Sequence, residues 1–142
     1  RLVDMGVQPF LVASAVIGIM AQRLVRLICP FCKEPHPQDT VILKKILEDR
    51  GEAQTDISAF WGKGCPKCNQ TGYAGRSSIA ELMVVDDEIR EMIVERAPTS
   101  RLIRAAREKG MRTLFEEGLE KVIAGETTLE EINRVVEVES VL

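Results

Sequence analysis

The sequence predicts an α+β fold: short strands around a metal-binding segment that contains an inserted helix, followed by a small bundle of helices. Three observations predict it. All four cysteines fall in two pairs, Cys29-Pro30-Phe31-Cys32 and Cys65-Pro66-Lys67-Cys68. Segments with strand-like patterning lead into the first pair and out of the second. From Asp86 onward the apolar residues keep helical spacing.

Taken in order, Pro9 opens a helix at Phe10, and Phe10–Val16 is apolar nearly all round, the pattern of a helix buried in a larger body. The whole apolar run, Phe10 to Ala21, is 12 residues long and contains Gly18, too short to cross a bilayer. It therefore reads as core. From Ile19 the β-branched content, with Gln22, Leu24 and Arg26 alternating against Arg23, Val25 and Leu27, predicts a strand up to the first pair; a continuous helix through Arg26 is the competing reading. The interval Lys33–Gly64 is longer than in a minimal zinc ribbon, so it contains an inserted element. Asp39 or Thr40 is expected to cap that element, a short helix with Val41, Ile42, Ile46 and Leu47 on one side, ending before Gly51. Beyond the second pair, Gly72 and Gly75 mark a turn and Ser78–Val85 a strand.

The remainder divides into helices at Ile89, Met92, Ile93; at Leu102, Ile103, Ala106; at Leu114, Phe115, Leu119, Val122, Ile123; and at Leu129, Ile132, Val135, Val136. Gly110 and Gly125 stand where helices should stop. Thr128-Leu129-Glu130-Glu131 has the form of a capping box. Simple core packing accounts for these stripes. The carboxylate pairs Glu116/Glu117 and Glu130/Glu131, beside basic residues, read as solvated faces.

Two CxxC turns bring four thiolates to one point, the donor set of a closed, structural Zn²⁺ site. Thiolates also accept iron, but a redox-silent ion suits a folding role. Two separate redox dithiols would each need a depressed thiol pKa and normally a βαβ setting. Disulfides would need an oxidising compartment, and no secretory signal is visible. His36, the sole histidine, lies in Pro35-His36-Pro37 and reads as a solvated loop residue rather than a fifth candidate ligand. The sequence holds no phosphate-binding Gly-x-x-x-x-Gly-Lys-Ser/Thr loop, no Gly-x-Gly-x-x-Gly and no nucleophile–histidine set. No catalytic residue is assigned. Residues 86–142 carry a net charge of −5 against +2 for residues 1–38, which argues against a nucleic-acid surface on the C-terminal part.

Longer motifs then fall into line. Gln22-Arg23-Leu24-Val25-Arg26-Leu27-Ile28-Cys29-Pro30-x-Cys32, followed by Cys65-x-x-Cys68-x-x-Thr71-Gly72-Tyr73-x-Gly75-Arg76-x-x-Ile79-x-Glu81-Leu82, resembles the C-terminal part of the traffic ATPases of type II secretion and type IV pilus assembly. The resemblance continues through Gly110-Met111-x-Thr113-Leu114, Gly118-Leu119 and Gly125-x-Thr127-Thr128-x-Glu130-Glu131, and covers essentially the whole chain. It implies that residues 1–28 are the C-terminal edge of a RecA-like ATPase core, 29–76 a tetracysteine zinc module, and 77–142 a strand plus C-terminal helical subdomain. Cys29, Cys32, Cys65 and Cys68 are then the zinc ligands. Gln22, Arg23 and Arg26 support the core or a subunit interface, unless the arginines merely pair with acidic neighbours or cover a sheet edge, and Arg76 anchors the module through Glu81 or a backbone carbonyl.

The resemblance further implies a homo-hexamer, cytoplasmic and peripheral on the inner face of the bacterial inner membrane, that works with the inner-membrane platform protein and the cytoplasmic domains of the secretion or pilus machine. Retraction motors typically lack the metal module, so the secretion and assembly branches are favoured. ATP and Mg²⁺ belong to the longer parent, because the family's nucleotide motifs lie upstream of the matched stretch. The alternative is a stand-alone zinc-ribbon binding module for nucleic acid or another partner, with Phe60, Trp61, Lys63, Lys67 and Arg76 as a weak aromatic and basic pattern. With 4% aromatic residues, nucleic acid is not the expected partner.

Overall fold

The computed structural model describes residues 1–136, which fold as a mixture of helices and small antiparallel sheets. Helix α1 (Pro9–Ala15) and strand β1 (Gly18–Ile28) are followed by β2 (Lys33–Pro35), α2 (Pro37–Asp49) and β3 (Phe60–Gly62). Strand β4 (Tyr73–Val84) and helices α3 (Asp87–Val94), α4 (Thr99–Glu108), α5 (Leu114–Ile123) and α6 (Leu129–Val135) complete the order. Strand β1 pairs with β4, and hydrogen bonds at the two ends of the pair, Val85 N to Ile17 O and Cys29 N to Gly72 O, make it antiparallel. β2 pairs antiparallel with β3 in the register Lys33–Gly62, Glu34–Trp61, Pro35–Phe60.

The chain divides into two compact units. The first comprises residues 1–21 and 80–113. Its core is Val85, Ile89, Met92 and Ala105, with Val16, Met83, Ile93, Ala97 and Leu102 packed around them. The Asp86 carboxylate caps α3 by accepting from the Ile89 amide at 3.0 Å, and Arg90 Nε donates to the Ala13 carbonyl at 3.1 Å, which fixes α1 against α3. The expectation of a fully buried Phe10–Ala21 run is corrected. Helix α1 buries only Val12 and Ala13, whereas Phe10, Ile17 and Met20 are 60%, 80% and 61% exposed. Two helical turns against one partner helix cannot cover a segment that is apolar on every side.

The second unit comprises residues 22–79 and the segment from Leu114 onward. One core joins them: Val25 of β1, Leu43 and Leu47 of α2, Ile57, Ala59, Ile79 of β4, Leu119 and Val122 of α5, and Leu129 and Ile132 of α6. Gly118 permits the α5–α6 contact, since a Cβ there would meet the Ile132 side chain at 2.7 Å. The strand reading of residues 19–28 agrees with β1. Other boundaries move. Helix α2 starts earlier than expected, because Pro37 presets its first turn and His36, not Asp39 or Thr40, caps it through Nδ1, which accepts from the Asp39 amide at 3.3 Å. β4 starts at Tyr73 rather than Ser78; pairing with β1 carries the strand through Gly75 despite its φ of +81°.

Candidate metal centre

Cys29 directly follows β1, Cys32 closes the turn into β2, and Cys65 and Cys68 flank a single 3₁₀ turn (Pro66–Cys68) between β3 and β4. The two turns face each other. The Cys29 amide donates to Gly72 O at 2.9 Å, and the Lys63 amide to Cys32 O at 3.1 Å. This approach depends on glycine. A Cβ on Gly62 would stand 2.0 Å from Gly72 O, and one on Gly72 would stand 2.2 Å from Gly62 O. No side chain fits between the two backbones.

All four sulfurs lie within 4.8 Å of one another. The closest pairs are Cys65–Cys68 at 3.7 Å and Cys29–Cys65 and Cys32–Cys68 at 3.9 Å. Sulfurs bound about 2.3 Å from one tetrahedral zinc ion lie about 3.8 Å apart, which these three pairs match, and the whole set is compact enough to close on one ion. The cysteines are free thiols, and these separations are far beyond a disulfide of about 2.05 Å. Four protein sulfurs leave no open coordination position, which marks the centre as structural rather than catalytic.

The thiols differ in acidity. Burial pushes Cys68 up, but the amides of Cys65 and Gly72 aimed at its sulfur, together with the Cys65 and Cys32 thiols, outweigh that and bring it down to about 6. At Cys32 burial prevails over the Gly64 amide, the neighbouring thiols add to it, and the thiol rises to about 12. The amides thus favour a thiolate at Cys68, and a metal bound by the four sulfurs would displace their protons.

Among the described residues no other group of cysteine, histidine, aspartate or glutamate side chains is gathered this way. His36 is outside the sulfur cluster: beside its capping role it lies 3.2 Å from Asp39 and packs against Trp61, with ring centroids 5.1 Å apart and planes tilted by 50°. It is not a solvated loop residue.

Of the other residues singled out in the sequence, Arg26 is engaged and the rest are exposed. Gln22, Arg23 and Arg76 lie at the surface, and Arg23 Nη1 reaches only the neighbouring Gln22 carbonyl. Arg26 lies three residues before Cys29 and meets Glu131, whose side chain is 0% exposed. The Glu131 carboxylate accepts from Arg26 N, Nε and Nη2 at 2.9, 2.9 and 2.7 Å, and from Arg134 Nε and Nη2 at 2.8 and 2.6 Å. Burial pushes the pKa of this carboxyl up, yet the two guanidinium groups and the Arg26 amide overcome it and lower it to about 2. The expected solvated face is thus corrected at Glu131, and at Glu116, which is largely covered and pairs with Arg50 at 2.7 Å. Only half of the expected capping box forms: the Thr128 hydroxyl accepts from the Glu131 amide at 3.1 Å, while the carboxylate is taken by the arginines.

Around this pair the Arg26 guanidinium lies 4.1 Å from the centre of the Tyr73 ring, Tyr73 Oη bonds Thr128 Oγ1 at 2.7 Å, and Thr127 Oγ1 donates to Arg26 O at 2.7 Å. Ile28 N donates to Glu126 O at 2.8 Å, one residue before the first metal-facing cysteine. The α5–α6 segment therefore braces the strand that delivers Cys29. Only the i,i+3 spacing of Glu131 and Arg134 on α6 was a local hint; the partner Arg26, 105 residues away, left no local signal.

Comparison with known proteins follows the same outline. Residues 1–134 match the family model described as "Type II/IV secretion system protein". The chain is 46% identical over 132 residues to the type IV pilus assembly ATPase PilB of Thermus thermophilus, covering 93% of this chain and 15% of that protein. It is 46% identical over 135 residues to the type II secretion system protein HxcR of Pseudomonas aeruginosa, with coverages of 95% and 24%. It is 42% identical over 139 residues to the type II secretion system ATPase E of Vibrio cholerae, with coverages of 95% and 26%. The chain thus spans about a quarter or less of the length of these relatives. With a match over nearly all its described residues, the chain belongs to the type II/IV secretion system protein family.

Proposed function

We propose that this chain is the C-terminal part of a hexameric secretion or pilus-assembly ATPase, and that it supplies the zinc module and helical domain through which ATP hydrolysis elsewhere in the polypeptide drives the inner-membrane platform protein. The observation that carries the reading is a cluster of four sulfurs within 4.8 Å of one another, inside a chain that matches the family from residue 1 to 134. In this reading Cys29, Cys32, Cys65 and Cys68 hold Zn²⁺, which acts as a redox-silent cross-link. Residues 1–28 are the edge of a RecA-like core, 29–76 the zinc module, and 77–142 the strand and helical subdomain, of which residues 137–142 lie outside the described residues. The exposed Phe10, Ile17 and Met20 support a core edge, since apolar side chains this exposed call for a covering body. Gln22 and Arg23, exposed at the surface of β1, are the residues for a subunit interface; Arg26 is held by Glu131. ATP and Mg²⁺ bind only in the longer parent, which works on the cytoplasmic face of the inner membrane.

Among the described residues no helix is long and apolar enough to cross a membrane, which fits a peripheral attachment. In the aromatic and basic pattern of the rival nucleic-acid reading, Lys33 Nζ sits 4.5 Å from the Phe60 ring centre and Trp61 packs at a tilt against His36, which leaves fewer ring faces for stacking. The test is Cys65→Ser in the full-length parent. ATP binding is expected to persist with zinc content and secretion or piliation lost; wild-type secretion by that variant refutes the proposal.

A further inference from the structure

Among the described residues the buried polar or charged side chains, cysteines aside, are Thr127, Thr128 and Glu131, at 0%, 4% and 0% exposure. All three stand at the start of α6. Covering polar groups costs free energy that an apolar residue of similar size would not incur, so such a cluster calls for a reason beyond packing. Its contacts supply one. Arg26 N, Arg26 O and Ile28 N lie on alternate residues of β1 and so open to one edge of the strand, where they meet the Glu131 carboxylate, Thr127 Oγ1 and Glu126 O. Cys29 N opens to the other edge and meets Gly72 O. The end of β1 is thereby held from both sides. Thr128 reaches the centre by a second route: its Oγ1 bonds Tyr73 Oη at 2.7 Å, and Tyr73 follows Gly72, whose amide donates to Cys68 Sγ at 3.3 Å. Of the four cysteines Cys29 alone directly follows a strand, so where β1 ends decides where its sulfur stands.

We propose that Glu131, assisted by Thr127, is a positioning residue of the metal centre: it holds the end of β1 so that the Cys29 sulfur stays on the ion, and α6 thereby sets how firmly the centre keeps its metal. The inference rests on the reading that the four cysteines hold Zn²⁺ and deepens it. Glu131 grips the Arg26 main chain as well as its guanidinium, so losing the carboxylate frees the strand end and not merely a side chain. In Glu131→Gln a single amide oxygen faces five donors, three on Arg26 and two on Arg134. Groups that orient metal ligands commonly change metal affinity by about 10- to 100-fold, and Glu131, acting through Arg26, belongs at the lower end.

The experiment exposes the zinc-loaded chain to iodoacetamide and resolves the initial alkylation rate of each cysteine by mass spectrometry, beside zinc transfer to a chromophoric chelator. Glu131→Gln is expected to raise the Cys29 rate and the rate of zinc loss about tenfold, with Cys32, Cys65 and Cys68 changed far less. Thr127→Val keeps the shape, removes the hydrogen bond to Arg26 O and should favour Cys29 in the same way to a smaller extent; it decides the matter if Glu131→Gln does not fold. Leu47→Ala, a truncation in the same core, separates positioning from general loosening: it should raise all four cysteines together or none. Preference for Cys29 in the first two variants and not in the third supports the proposal. Equal rises at all four cysteines in every variant, or wild-type rates in Glu131→Gln, overturn it and leave the zinc reading standing. A wild-type chain that takes up no zinc overturns both.

Discussion

The two units of this chain solve the same problem of burying enough surface in different ways. The second closes a core that draws on β1, α2, β4, α5 and α6, adds a buried carboxylate held by two arginines, and gathers four sulfurs for a metal. The first closes a smaller core on Val85, Ile89, Met92 and Ala105 and leaves Phe10, Ile17, Ile19, Met20 and Val84 in solvent. A small body cannot bury as large a share of its surface as a large one, so it needs a metal or a neighbour to reach ordinary stability. The second unit has the donor set for such a metal; among the described residues the first has none.

Metal removal gives the sharpest break between them. Stripping zinc, or replacing Cys29 with serine, is expected to cost the second unit on the order of 10 kcal/mol, the scale of structural zinc in small modules. Hydrogen exchange should then show lost protection across residues 22–79 and 114–136, with α3 and α4 retaining theirs. Equal loss in both units would mean that they fold as one. Next in size comes Gly72→Val. Its Cβ would stand 2.2 Å from Gly62 O, so the two turns must separate; a loss of about 4 kcal/mol and reduced zinc stoichiometry are expected in the second unit.

Glu131 gives a smaller effect with a pH signature. Its folded pKa is lowered from 4.5 to about 2, so its ion pairs stabilise the fold fully above about 4.5, and that contribution is lost as pH falls toward about 2. The shift corresponds to about 3 kcal/mol. Glu131→Gln should therefore be destabilised at pH 7 and approach wild type as both are acidified, in denaturant titrations at fixed zinc. A difference that does not shrink between pH 5 and pH 2.5 would refute the ion-pair account. The mildest change belongs to the first unit. Asp86→Ala removes the α3 cap and one partner of Lys109, both solvent-accessible, and should lower the melting temperature slightly without altering zinc content.

How much of this was legible in the sequence depended on the range of the interaction. The cysteine pairs, the helical stripes and the stops at Gly110 and Gly125, with φ of +93° and +70°, are local signals and agree with the structure. The family was legible from ordered motifs. Glu131 was misread because its partner, Arg26, lies 105 residues away, and no local pattern distinguishes a carboxylate aimed at distant arginines from one aimed at water. His36 was placed in a loop because histidine is a rare cap, although the following proline announces a helix start. The exposure of Phe10 and Ile17 was illegible for the opposite reason: hydrophobicity says that a residue wants cover, not whether this stretch of chain provides it.

The bond between Arg26 and Glu131 also sets a timetable. Its ends are separated by 105 residues, and Ile28 N and Glu126 O close a loop of similar length. Contacts this distant in sequence form late and slowly, because the closure entropy of the loop must be overcome before the contact rewards it. On a ribosome the cysteine turns emerge well before α5 and α6. Until those helices arrive, Leu43, Leu47 and Ile79 lack the Leu119, Val122 and Ile132 side of their core. The nascent cysteine segment thus passes through a period of exposed apolar surface, in which a metal held by its four thiols would be a local protection against misassembly.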